Sequence, residues 1–145
     1  MLMSAKVRNE YRRHDVALAT AGNSHALGVP SRATGFGSAV NGGELLCLAM
    51  ATCYCNDIYR EAAKRGIEVS VVEVEGSAEF GAEGAPASRL SYKVLVHANA
   101  AEAAIRELIA HTDRVAEVQN TLRLGLPVVL EAYTAVSWVR SDSRS

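Results

Sequence analysis

Cys47, Cys53 and Cys55 are the residues of this 145-residue chain best equipped for chemistry. A thiolate can act as nucleophile, reductant or metal ligand. Their spacing limits what they can do together. All three lie in the run NGGELLCLAMATCYCNDIYREAAKRG, residues 41–66, which reads as a single helix. On a helix, residues two apart point about 200° away from each other, so Cys53 and Cys55 do not share a face. Cys47 precedes Cys53 by six residues, roughly 240° round the helix, and does not join it either. A disulfide within the helix is not expected, and the set is poor for joint metal binding. Each thiol is then either a packing group, the commoner role for a free cysteine, or a protected reaction centre. The helix begins well upstream of Cys53, so its dipole does little for that thiol, and a depressed pKa would need a neighbouring cation.

Other chemical signals are weaker. His14, His25, His97 and His111 are scattered, and no two have the spacing of a metal pair. No metal and no cofactor is expected. Arg8, Arg12, Arg13 and Arg32 precede the helix and could fold back over it. Glycine-rich nucleotide loops and a serine-nucleophile elbow are missing from the sequence.

The helix has clear ends. Asn41 and Glu44 have the spacing of a capping box. Lys64 and Arg65 suit the negative end of the helix dipole, and Gly66 supplies a left-handed stop. No charge falls between Glu44 and Asp57. A helix apolar nearly all round must be buried. Before it, residues 5–28 read as a small β meander, with strands at Lys6–Tyr11, Asp15–Thr20 and Ser24–Leu27, and residues 29–40 as a loop. After it, residues 67–98 alternate as an antiparallel hairpin, with a one-residue slip near Val71 and Val72 that suggests a bulge. Residues 100–124 read as two helices, the first capped by Asn99 with Glu102, the second by Thr112 or Asp113 and stopped by Gly125. Residues 128–139 form a last strand. The order is that of a single α+β domain. A rod about 36 Å long is more than one modest sheet can cover, so a homodimer is expected.

Composition narrows the function. The chain is 49% hydrophobic and 21% charged with net charge −1, enough apolar content for a core and no electrostatic case for nucleic acid or an anionic membrane. The charged start lacks a signal peptide's apolar stretch, and no run reaches the length of a membrane span. Three clustered cysteines are not a disulfide framework, so a cytoplasmic setting is expected.

The strings ELLCLAMATCY, KRGIEV and VQNTLRLGLPV together resemble the OsmC/Ohr family, over roughly residues 41–137. That family has a Pro-Glu-Glu-Leu-Leu-like helix start, an apolar run ending in a small residue and Cys, and a later Cys-Pro-Val-Ser-Asn-Thr-Leu. The resemblance implies an OsmC-like fold: antiparallel sheets, a long buried central helix and an intertwined homodimer with active sites at the subunit interface. It implies a cysteine peroxidase acting on organic hydroperoxides, the thiol passing through a sulfenic acid resolved by a second cysteine. Carried over by position, Cys53 is the attacking thiol. Arg13 and Arg32 are the candidates to activate it, and Met50, Tyr54 and Ala116 would line the substrate side. The chain departs from the pattern where Ala116 stands in place of the resolving cysteine and Gly43 in place of the site's Glu. Glu44 matches the next position, and no Gly-Arg turn marks the activating arginine. The expectation is therefore a divergent member running on one cysteine with an external thiol reductant. The alternatives are a non-catalytic homodimer that binds a small apolar ligand in its interface crevice, and a scaffold for another protein.

Overall fold

The computed structural model describes residues 1–139. Strands β1 (Met3–Glu10), β2 (Arg13–Thr20) and β3 (Asn23–Ala26) form an antiparallel meander in that order. The tight turns leave Arg12 and Ala21 at φ 57° and 48°, in the left-handed region. The loop that follows folds back on the meander: Arg12 N–H donates to Gly35 O at 2.8 Å, and Gly37 N–H to Asn9 Oδ1 at 2.9 Å. The Tyr11 and Phe36 rings meet edge-on.

Helix α1 spans Gly42–Lys64. Its capping box forms as expected, with Glu44 N–H on Asn41 Oδ1 at 2.8 Å and Asn41 N–H on Glu44 Oε1 at 3.1 Å. Gly66, at φ 63°, lets the chain leave in the left-handed conformation. Strands β4 (Glu68–Glu79) and β5 (Arg89–Asn99) pair antiparallel, and the register slips between Val69 and Val71. The expected bulge is there. It turns Val72 and Val74 toward α1 and leaves Val71 exposed.

Helices α2 (Glu102–Val115) and α3 (Glu117–Leu124) follow. Their starts differ from the sequence expectation. Asn99 stays in β5, paired with Glu68, and α2 is capped by Ala101 without a side-chain bond. Thr112 lies inside α2, where its hydroxyl donates to Leu108 O, and α3 begins at Ala116. In both cases existing ladders already satisfy the backbone groups that a cap would serve. Gly125, at φ 65°, stops α3 as expected.

The core is where α1 meets the concave side of the hairpin and α2. Tyr54, Ile58, Ala62, Leu108 and Ala116 are buried there, packed by Ile67, Val69, Val72, Val74, Tyr92, Val94, Val96 and Ile109. Burying side chains of the size of Ile58 or Leu108 contributes roughly 1.5–3 kcal/mol each. Gly76 lets α1 approach β4 closely, because a Cβ there would lie 2.6 Å from the Cys47 carbonyl oxygen.

Two expectations are corrected. Within one chain α1 is buried on one face only: Leu48 and Tyr59 are exposed. The chain's sheet and helices cover one side of the rod. Residues 128–139 form no strand; they run without a ladder, their apolar side chains, Val128 and Trp138 among them, almost fully exposed. A strand exists only through its hydrogen-bonded neighbour, and the chain offers this segment none.

Candidate functional site

Cys53 lies on the α1 face that meets the start of α3. One turn on, Asp57 shares that face, as an i,i+4 pair must. The Cys53 Sγ donates toward Asp57 Oδ2 at 3.6 Å and toward Glu117 Oε2 at 3.8 Å. Glu117 is the first residue of α3, where the unpaired N–H groups favour a carboxylate. Arg60 closes the group: its Nη1 donates to Asp57 Oδ1 at 2.8 Å and Glu117 Oε1 at 3.3 Å, and its Nε to Glu61 Oε1 at 3.0 Å. Lys64 Nζ reaches the same Glu61 oxygen at 3.0 Å, and His111 Nε2 lies 3.2 Å from Glu61 Oε2. Asp57 and Glu61 are buried, so the cations neutralise charge that would otherwise be costly.

The electrostatics of the thiol follow from this. Burial pushes the Cys53 pKa above its ordinary value; the Val118 N–H directed at the sulfur opposes this, while the charges of Asp57 and Glu117 add to it. Asp57 is also raised, first by burial and then by its contact with Glu117, against the pull of Arg60. Glu117 is lowered, chiefly by the hydrogen bond from Asp57. Glu61 is lowered by Lys64 and Arg60. At rest the site holds a protonated thiol beside a carboxyl pair, with Asp57 the member that holds a proton more readily.

A thiol and two carboxylates here bring their ligand atoms within 4.8 Å of one another, the makings of a small cation site, though Arg60 already answers both carboxylates. All three cysteines are free and partly buried.

The other residues singled out from sequence fall elsewhere. Arg13 pairs with Asp15 at 2.8 Å on the exposed meander. Arg32 stays in the loop, its Nε 3.4 Å from Ser38 O. The meander takes no substantial part in the packing around α1, so neither arginine reaches Cys53 within the chain. Tyr54 is fully buried and belongs to the core: its hydroxyl donates to Ile109 O at 2.8 Å, and burial together with Asp113 raises its pKa to about 12. Ala116 is likewise sealed in the core. Met50 is buried and lines a cavity beyond α3, with Gln119 and Leu122. At Gly43 a Cβ would press on the Phe80 ring at 3.1 Å, and Glu44 is occupied by the capping box, so no carboxylate from the helix start serves Cys53.

Sequence reasoning passed over Asp57, Arg60 and Glu117. The first two carried a signal, since Asp57 is i+4 from Cys53 and Arg60 is i+3 from Asp57. Glu117 carried none, because it stands far away in sequence.

Comparison with known proteins agrees with this architecture. A family model described as OsmC-like protein matches residues 35–131. No curated protein is significantly similar in sequence. Among solved structures, an OsmC-like protein from Mycoplasma pneumoniae superposes with a TM-score of 0.55 at 17% identity, over 83% of this chain and 87% of that one. An OsmC-like protein of unknown function from Vibrio cholerae gives 0.55 at 14% identity, over 83% and 93%. An organic hydroperoxide resistance protein OsmC from Legionella pneumophila gives 0.50 at 22%, over 85% and 90%. At these identities the structures speak for the fold. The sequence match, which spans well over half the chain and includes α1, the hairpin and both later helices, places the protein in the OsmC family.

Proposed function

We propose that the protein is a thiol peroxidase that reduces organic hydroperoxides at Cys53 and is returned to its starting state by an external thiol. The observation that carries the reading is the Cys53 Sγ lying 3.6 Å from Asp57 Oδ2, while Arg60 holds the other Asp57 oxygen. Asp57 takes the thiol proton as general base. The sulfur attacks the distal peroxide oxygen, the S–O bond forms and the O–O bond breaks. The departing alkoxide recovers the proton from Asp57 and leaves as an alcohol. Sulfur is oxidised to the sulfenic acid and the peroxide is reduced. With Ala116 where a resolving cysteine would stand, one external thiol forms a mixed disulfide with release of water. A second external thiol frees Cys53 and leaves as the external disulfide. Membership of the OsmC family, and the hydroperoxide resistance protein from Legionella pneumophila among its structural relatives, support this reading.

The working form is a homodimer. The exposed apolar run 128–139 and the open face of α1 at Leu48 and Tyr59 are surfaces that a second copy would cover. Arg13 and Arg32 would act, if at all, on the partner's thiol. Sedimentation giving a monomer at micromolar concentration would remove this part.

The test follows loss of an organic hydroperoxide in the presence of a small dithiol. Cys53→Ser should reduce the rate to background. Asp57→Asn should lower it by about 10²-fold, the range for a lost general base. Background-level loss by the wild-type protein would sink the proposal.

A further inference from the structure

A cavity of about 570 Å³ opens between α3 and the start of β5, on the side of α3 away from the Cys53 carboxylates. Its apolar wall is Met50, Leu90 and Leu122; its polar groups include Gln119, Arg89 and Arg123. Gln119 is 3% exposed. Its Nε2 donates to Met50 O at 2.9 Å, which fixes the amide's orientation, yet its Oε1 has no hydrogen-bond partner among the described residues. Buried amide oxygens are nearly always paired, so an acceptor left over beside a cavity points to a donor brought by a ligand. The charges on the rim differ. Arg123 is committed to Asp113 at 2.6 Å and to Asn120 at 3.0 Å. Arg89 makes no ion pair or side-chain hydrogen bond among the described residues. A purely apolar occupant would leave both Arg89 and the Gln119 oxygen unanswered.

We propose that this cavity binds a small amphipathic carboxylate carrying an N–H donor near its head, the chemistry of an N-acyl amino acid. The carboxylate pairs with Arg89, the N–H donates to Gln119 Oε1, and the acyl chain lies along Met50, Leu90 and Leu122. Binding is independent of peroxide chemistry at Cys53.

The experiment is calorimetric titration of the full chain with four probes below their micellar concentrations: N-decanoylglycine, N-decanoylsarcosine, decanoate and 1-decanol. The sarcosine compound differs from the glycine one by an N-methyl group that removes the donor. N-decanoylglycine should bind about tenfold more tightly than N-decanoylsarcosine or decanoate, and decanoate more tightly than 1-decanol, the scale of one charge-assisted hydrogen bond. Arg89→Gln, at an exposed position, should abolish the preference for decanoate over 1-decanol and leave the fold intact by circular dichroism. The proposal fails if no probe binds saturably, if the glycine and sarcosine compounds bind alike, or if Arg89→Gln changes nothing. Cys53→Ser should bind N-decanoylglycine as the wild type does, which separates this site from the peroxidase reading.

Discussion

Gly76→Ala tests the contact that seats the cysteine helix on its sheet. A Cβ at this position would lie 2.6 Å from the Cys47 carbonyl oxygen, 3.2 Å from its carbon and 3.3 Å from its Cα. All three are backbone atoms of α1, so no side chain can swing aside. Restoring an ordinary contact requires the helix to move off β4 by roughly 0.7 Å, and overpacking of this kind costs about 1–3 kcal/mol. The substitution also reduces unfolded-chain entropy, which returns about 0.4–1 kcal/mol. The net expectation is a loss of about 1–2 kcal/mol, or roughly 3–8 °C in Tm for a domain of this size. Gly81→Ala is the control, since nothing lies within 4 Å of its Cβ and its backbone is not in the left-handed region. Thermal unfolding followed by circular dichroism reads both. A Gly76→Ala melting point equal to or above wild type, or an equal fall in Gly81→Ala, would refute the close approach of α1 to β4.

Three further outcomes are expected. Alkylation of Cys53 should be slower at neutral pH than that of a free thiol and should keep rising with pH past the ordinary thiol range, while Asp57→Asn should speed it at neutral pH by removing the charge that holds the proton on sulfur; slower alkylation in that variant would contradict the assignment. Glu61 has its pKa lowered to about 2, so its contribution to stability is present above the ordinary carboxylate pKa and is lost as pH falls from there toward 2. Glu61→Gln should therefore flatten the acid limb of a stability-against-pH curve, and an unchanged limb would count against the Arg60–Lys64–His111 cluster. Tyr54→Phe leaves the Ile109 carbonyl without its hydroxyl donor and should cost about 1–2 kcal/mol by urea unfolding; a neutral result would mean the buried bond contributes nothing net.

The helix, hairpin and their order were legible because their signals are local. Asn41 and Glu44 cap each other across one turn, Gly66 and Gly125 stop helices by their own backbone freedom, and the slip at Val71 shows as a change in alternation. The caps at Asn99 and Thr112 were misread for a related reason. Both residues carry the right side chain, but Asn99 is held in a ladder with Glu68 and Thr112 donates to Leu108 inside a continuing helix. Sequence spacing cannot tell whether a backbone group is already satisfied.

The candidate site divides in the same way. The amino-acid sequence by itself determined that Cys53 sits on a long helix, that it shares no face with Cys47 or Cys55, and that Ala116 cannot resolve it, because helical geometry and residue type are enough for those statements. Only the tertiary structure decided what surrounds the thiol. Arg13 and Arg32 stay with the meander, whereas Glu117 arrives from α3 and shares Arg60 with Asp57. The packing of α3 against α1 fixes that meeting, through contacts between residues more than fifty positions apart, and it sets both the proton on sulfur and the buried Gln119 oxygen beside its cavity.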